Sequence, residues 1–349
     1  MLLFDILKSP ERKAYFKRCW DLQNDEGFRK WVMNEYHGKG WIKIEHFGDL
    51  YPNKVIYFVP EYGCQVGFFA EFLFTLIRLS YASERGFVPY VEWGSDFLYY
   101  EPKGIDGEKN AFCYFFDQVT DIINPKNSSH VILSSTDHIK ETQDLLGTHG
   151  YIVTNAYIDE LSRMAKKYIR YNKTTLTYLE EKFANLIGNK KTLAIHYRGT
   201  DYKRHYNNHP MCVSVSQEID MAKKLLDEKK YEQIFLATDE NAAIQNFVDE
   251  FGDKVKYYTD VFRSNNGDES VAYSSDSRDK HHFKLALEVL CDEYTMTRCD
   301  GLVGGISNLT LSAKIMKKAW FDSNYDDEII INNDIYHNEG NNFCDAVHE

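Results

Sequence analysis

The chain lacks the short residue spacings that usually announce chemistry. Its seven cysteines, Cys19, Cys64, Cys113, Cys212, Cys291, Cys299 and Cys344, are odd in number, scattered, and contain no C-x-x-C pair. Neither a structural zinc site nor a disulfide framework is therefore expected; reduced thiols in a cytoplasmic protein are. No H-E-x-x-H is present. The adjacent His281 and His282 would point in different directions on a helix, so no metal site is expected. Positive charge is also scarce: 41 Lys and Arg stand against 53 Asp and Glu, a formal net charge of -12. That balance argues against a nucleic-acid partner, whose backbone is held by cations. No apolar run reaches the length of a membrane span, and the stretch from Met1 to Lys8 lacks the pattern of a signal peptide. Internal repeats and low-complexity tracts are missing as well.

What the chain does have is core-forming material. Of 349 residues, 43% are hydrophobic and 15% aromatic, enough for one very large domain or two ordinary ones. A charged, aromatic segment from Ser9 to Tyr36 has helical character. Lys54–Pro60 reads as a buried strand, Phe68–Arg85 as a long apolar helix stopped by Gly86, and Phe87–Trp93 as the next strand. Val131–Leu133 is a further strand, and Ile158–Ile187 is one long helix or two. After a turn at Gly188–Lys191, strands at Leu193–His196, Gln233–Asp239, Lys254–Tyr258 and Cys299–Val303 alternate with helices at Ser214–Lys229, Asn241–Phe251, His281–Arg298 and Leu309–Lys318. A last strand is expected at Glu328–Ile331. Two consecutive α/β series predict two Rossmann-like domains facing each other across a cleft, with residues 1–188 on one side and 189–349 on the other.

Ligands of such sheets bind beyond the carboxyl ends of the strands. The expected strand Leu193–His196 runs into Arg198, Gly199, Thr200 and Asp201. An arginine there either grips a phosphate with its planar fork or forms a structural pair with an aspartate. Asp239 ends the next strand and either caps the following helix or holds a sugar hydroxyl. The turn Gly304–Asn308 precedes a helix, so Ser307 or Asn308 is a natural N-cap, a role compatible with anion binding at the same place. Asp292 lies among apolar residues of a helix; it either accepts from the amine edge of a guanine or pairs with Arg298 or Lys280.

Four segments, in order, resemble the α-1,6-fucosyltransferases and the wider superfamily of α-1,2-, α-1,6- and protein O-fucosyltransferases. They are Glu61-Tyr-Gly-Cys-Gln65 before an apolar helix, His196-Tyr-Arg-Gly-Thr-Asp201, Phe235-Leu-Ala-Thr-Asp-Glu240, and Leu290-Cys-Asp292 through Cys299-Asp-Gly-Leu-Val-Gly-Gly-Ile-Ser307-Asn308. The resemblance implies a metal-independent, inverting glycosyltransferase with a variant of the two-domain GT-B architecture. The absence of any D-x-D triplet, by which glycosyltransferases of the other main fold hold a metal, agrees with that expectation. Its donor substrate would be GDP-fucose, with no cofactor, and its partner a glycan acceptor.

Carried over, the resemblance implies that Arg198 binds the β-phosphate, that His196 and Asp201 shape its pocket, and that Asp292 reads the guanine. Ser307 and Asn308 would contact phosphates, Gly63 and Gln65 belong to the glycine-rich donor segment, and Asp239, at the end of the third matching segment, stands as a further donor-binding candidate. Asp201 is the first candidate for the base that takes the acceptor proton and His205 the second, although Asp201 serves equally well to orient Arg198. The chain departs from the family pattern at three points: Gly199 replaces a second arginine, Tyr202 a lysine, and Tyr206 the family's base carboxylate. Lys203 or Arg204 would have to supply the missing charge. Another nucleotide sugar such as GDP-mannose, or a non-catalytic binding protein of the same fold, are the alternative readings.

Overall fold

The computed structural model describes residues 44–338 except residues 64, 229–230 and 266–269, together with residue 341; for Asp201 it describes the backbone but not the side chain. The helical segment expected over Ser9–Tyr36 lies outside the described residues.

The first sheet is built from β1 (Ile44–Glu45), β2 (Ile56–Pro60), β3 (Val88–Glu92) and β4 (Val131–Leu133), in the order β1-β4-β2-β3. Strand β2 runs parallel to both β3 and β4, and only the two-residue edge strand β1 is antiparallel. Helix α1 (Phe68–Glu84) connects β2 to β3. It ends because Gly86 takes a φ of 68°, a left-handed turn that costs glycine little.

Three helices follow β4. Helix α2 (Thr136–Leu145) is an element with little periodicity to betray it, since Ile139 is its one buried aliphatic residue. The expected helical stretch over 158–187 resolves into α3 (Asn155–Tyr168) and α4 (Lys173–Leu186). The break has a cause. Ile169 turns to an extended conformation, Tyr171 bridges to Phe116, and the Asn172 side chain caps α4 by accepting from the Thr175 amide at 2.9 Å.

The second sheet is wholly parallel: β5 (Thr192–Tyr197), β6 (Gln233–Thr238), β7 (Val255–Lys256), β8 (Gly301–Gly305) and β9 (Asp327–Ile331), in the order β7-β6-β5-β8-β9. Counted from β5 this is 3-2-1-4-5, so the winding direction reverses between β5 and β8. That is where ligands bind in open parallel sheets. The connecting helices are α5 (Val215–Asp227), α6 (Asn241–Phe251), α7 (His281–Arg298) and α8 (Asn308–Phe321).

The period-2 alternation of strands sorts the core. Leu193, Ile195 and Tyr197 of β5 face a cluster with Ala222, Leu225 and Phe247 from α5 and α6. Ala194, on the opposite face, joins a larger cluster that also holds Tyr57 and Val59 of the first sheet, Phe72 and Leu76 of α1, Leu290 and Tyr294 of α7, and Ala313 and Met316 of α8. Helix α8 packs on α1, α3 and α7, and α7 packs on α4. One continuous hydrophobic core therefore spans both sheets.

Candidate functional site

The carboxyl ends of β5, β6 and β8 bring His196, Arg198, Asp239, Ser307 and Asn308 together. His196 lies opposite Gly304 in the register of β5 and β8. Its ring is almost fully buried, and its Nδ1 lies 2.7 Å from Thr310 Oγ1 and 3.1 Å from Ser307 Oγ. Ser307 is the N-cap of α8, where its hydroxyl accepts from the Thr310 amide at 3.1 Å. Burial, reinforced by the neighbouring Arg198 charge, pushes the His196 pKa down to about 3. The imidazole is therefore neutral at physiological pH, and it positions the start of α8 rather than exchanging protons.

Asp239 follows β6, yet it does not cap α6; Glu240 occupies that position, and its side chain makes no cap bond. Instead the Asp239 carboxylate accepts from the Gly199 amide (3.0 Å) and the Thr200 hydroxyl (2.7 Å), and faces Arg198 Nε at 3.4 Å. It fixes the loop after β5 and the orientation of Arg198. Capping loses because the backbone turn at residues 238–240 carries Asp239 toward β5.

The glycine at position 199 has a structural reason. A Cβ there would collide with Glu240 Oε2. The other oxygen of Glu240 accepts from Lys203 Nζ at 2.7 Å. Lys203 is thus committed to Glu240, and Arg204 Nη1 donates to the Tyr206 hydroxyl at 3.4 Å.

Two cavities adjoin Arg198. The smaller, about 80 Å³, is lined by His196, Arg198, Asp239, Phe262, Glu288 and Asp292 among others. Asp292 is buried, and its Oδ1 finds no hydrogen-bond partner among the described residues. Neither cation expected to pair with it does so: Arg298 stacks on the Tyr294 ring at 3.4 Å, and Lys280 faces Asp106 at 3.7 Å. Burial raises the Asp292 pKa to about 7, against the pull of the Arg263 charge and with a smaller push from Glu288 and Asp239. Arg263 is itself buried. Its Nε donates to the Thr238 carbonyl at 3.0 Å, and its Nη2 is unpartnered among the described residues. A buried carboxylate oxygen without a partner, on the lining of the cavity, is suited to the donor edge of a heterocycle, while Arg263, which lines neither cavity, acts on it through its charge.

The larger cavity, about 310 Å³, is lined by Arg198, Tyr202 and His209 and by the first residues of two helices: Gly67, Phe68 and Phe69 at the start of α1, and Ser307, Asn308 and Leu309 at the start of α8. Helix starts present the positive end of the helix dipole and, as a rule, unpaired amides, which favour an anion; at α1 the Phe68 amide already donates to the Tyr99 hydroxyl at 3.4 Å, so the dipole is that helix's main contribution.

Gly63 and Gln65 line neither cavity, but both adopt left-handed backbone (φ 87° and 48°) in the loop that leads into α1. The Gln65 carbonyl accepts from the Tyr273 hydroxyl at 2.7 Å, which ties the 270–273 segment across to the first sheet's unit. His205 lies outside both linings, stacked on Tyr336 at 4.4 Å. Tyr206 is buried, its ring 5.6 Å from that of His209. His209, Arg263, Thr310 and Tyr273 are the site residues that sequence reasoning missed. Thr310 alone carried a signal, three residues beyond an N-cap serine.

No protein-family model matches the chain, and no curated protein matches it either. Solved structures do. The chain is similar to fucosyltransferases of known structure. Against the NodZ α-1,6-fucosyltransferase soaked with GDP-fucose, the identity is 17% over 75% of this chain and 92% of that one, with a TM-score of 0.48. Against the fucosyltransferase NodZ from Bradyrhizobium it is 15%, over 75% and 92%, with a TM-score of 0.47. Against POFUT1 in complex with GDP-fucose it is 11%, over 80% and 98%, with a TM-score of 0.47. Among the described residues, no cluster of three or more His, Cys, Asp and Glu is placed to hold a metal ion, and no helix is long and apolar enough to cross a membrane.

Proposed function

We propose that the protein is an inverting glycosyltransferase that moves fucose from GDP-fucose to a glycan hydroxyl. In this reading its two sheets form two Rossmann-like domains, with a boundary near residue 188, in a GT-B-like variant. The observation that carries it is the convergence of Arg198 with the starts of α1 and α8 on one cavity, beside a second cavity that holds an unpartnered buried aspartate oxygen. The first arrangement suits a diphosphate. The second suits guanine, whose N1–H and N2 amine are donors a carboxylate accepts.

In the proposed reaction an acceptor hydroxyl oxygen attacks the anomeric carbon as its bond to the β-phosphate oxygen breaks. The configuration inverts, and GDP carries away the bonding electron pair. Negative charge grows on the β-phosphate. Arg198, held by Asp239, and the helix starts stabilise it in place, and removing one such donor typically costs about 3–4 kcal/mol of transition-state stabilisation. His196, neutral and bound to Ser307 and Thr310, keeps the α8 start in register. The acceptor proton passes to a base; Asp201 remains the first assignment, and His209, which lines the Arg198 cavity, takes the second place from His205, which lies outside it.

The test is GDP release and fucose transfer by wild type and Arg198→Ala, each with and without EDTA. The variant is expected to remain folded with transfer lost, and wild-type activity to survive EDTA. An active Arg198→Ala enzyme, or activity abolished by EDTA, would overturn the proposal.

A further inference from the structure

A cavity of about 910 Å³ adjoins the proposed donor site without being part of it. Tyr62, Ala70, Phe74, Tyr151, Ser307 and Asn308 line both this cavity and the one beside Arg198, so the two communicate. We infer that this groove seats the acceptor, and that it is built for an uncharged oligosaccharide. The inference rests on the donor reading above and adds to it a place and a charge class for the second substrate.

Volume and walls agree with that role. The groove is near the top of the roughly 300–1,000 Å³ range of sites that enclose a drug-sized ligand. One wall is α2, whose Thr136, Ile139, Lys140 and Gln143 repeat at helical spacing and so present a single face. The others are the 149–153 loop, the first turns of α8 and the segment after β9. Rings lie at the junction with the donor cavity: Tyr62 and Phe74 stack with centroids 4.2 Å apart, and Tyr151 is beside them. On the lining, Ile152 and Ile330 are 66% and 36% exposed. Aromatic and aliphatic surface suits the C–H faces of pyranose rings, while Gln143, Asn308 and Asn332 offer uncharged donors and acceptors to hydroxyl groups.

The charges decide the class. Both lysines of the lining are engaged: Lys140 Nζ lies 2.9 Å from Asp144, and Lys314 is paired with Glu328. Asp137 and Asp334 add carboxylates to the same lining. An acceptor bearing a carboxylate, sulfate or phosphate would find its own sign there, with each lysine already bound to an acid.

The experiment uses the full chain with labelled GDP-fucose and an array of neutral oligosaccharides alongside their sialylated counterparts. Ile152→Asp adds a charge at an exposed position, and Gln143→Trp fills the groove; a GDP-induced thermal shift checks that both variants are folded. Neutral acceptors are expected to be fucosylated with a kcat/KM at least about tenfold above their sialylated forms, and each variant to raise acceptor KM by about tenfold. Equal use of sialylated acceptors would overturn the inference. So would transfer indifferent to both variants, transfer to unglycosylated protein alone, or GDP-fucose hydrolysis with no transfer to any neutral glycan. A wild-type protein that shows no GDP-induced shift instead refutes the donor reading, and the inference falls with it.

Discussion

If Asp292 reads guanine, the affinity for the donor must carry its unusual ionisation. An aspartate at its ordinary value of 3.8 stays charged throughout the neutral range, whereas burial brings Asp292 to about 7. The donors on guanine require the carboxylate form. Between about pH 8.5 and about pH 5.5 the ionised fraction of a group titrating near 7 falls roughly 30-fold, and affinity should fall with it. GDP-fucose is the right probe, because its diphosphate is esterified at both ends and does not titrate in this range. Calorimetric titration across that pH interval should show the decline in wild type. Asp292→Asn should bind weakly and without the slope, because the amide does not ionise and turns a donor toward guanine. Losing one or two charge-assisted bonds at about 1.5–3 kcal/mol each predicts at least a tenfold loss of affinity near pH 8. His196, held down near 3, contributes no slope there. Affinity that stays flat to about pH 5.5 in wild type, or a slope that persists in Asp292→Asn, refutes the assignment.

Three other perturbations test the surrounding architecture. Gly199→Ala drives a methyl group into Glu240 Oε2 and should lower stability by roughly 1–3 kcal/mol; Glu240→Ala in the same chain should recover part of that loss in a denaturant-melt double-mutant cycle, and additivity would show that the two residues do not collide. Arg78→Met strands Glu71, whose carboxylate lies 3.8 Å from Arg78 with both side chains nearly inaccessible, and should cost about 3–5 kcal/mol. Burial holds the Glu71 pKa up at about 7, so its unpaired ionisation weakens the fold as pH rises from the unfolded value of 4.5 through 7; the deficit measured by chemical denaturation should therefore shrink at acidic pH, and a deficit that grows there contradicts the pairing. Tyr273→Phe removes the hydroxyl bonded to Gln65 O and should speed GDP dissociation in stopped-flow by a few-fold, about 1 kcal/mol, with little change in melting temperature; an unchanged off-rate would separate that bond from the site.

The strands and their polar ends were legible because a buried strand must be apolar and its carboxyl end need not be. Leu193–His196 followed by Arg198 is such a sequence, as are Ile234–Thr238 and Leu302–Gly305, and all three converge in space. The Ser307 cap was legible for the same local reason. The capping role favoured for Asp239 was misjudged, because its partners Gly199 and Thr200 sit 40 and 39 residues away. Arg263 carried no signal: it lies in a polar loop with no period, and only the fold brings it toward Asp292. Helix α2 was missed because a helix with one wet face and a groove on the other buries few apolar residues. The large groove takes its walls from residues 62–74, 136–157 and 306–335, segments too remote from one another for any local pattern to join them.

The single core shared by both sheets has a kinetic consequence. Swinging the two units apart would bare the faces where α8 meets α1 and α3. Exposing even about 200 Å² of that apolar surface costs about 5 kcal/mol, which leaves a separated state at well under one molecule in a thousand. If the protein binds GDP-fucose as proposed, nucleotide exchange is left to small excursions at the cavity mouth, and the walls of the wide groove keep their shape meanwhile. A chain whose halves rarely part would offer an acceptor in that groove a site of constant form, and turnover under the proposed function is expected to be paced by local openings rather than by a jaw.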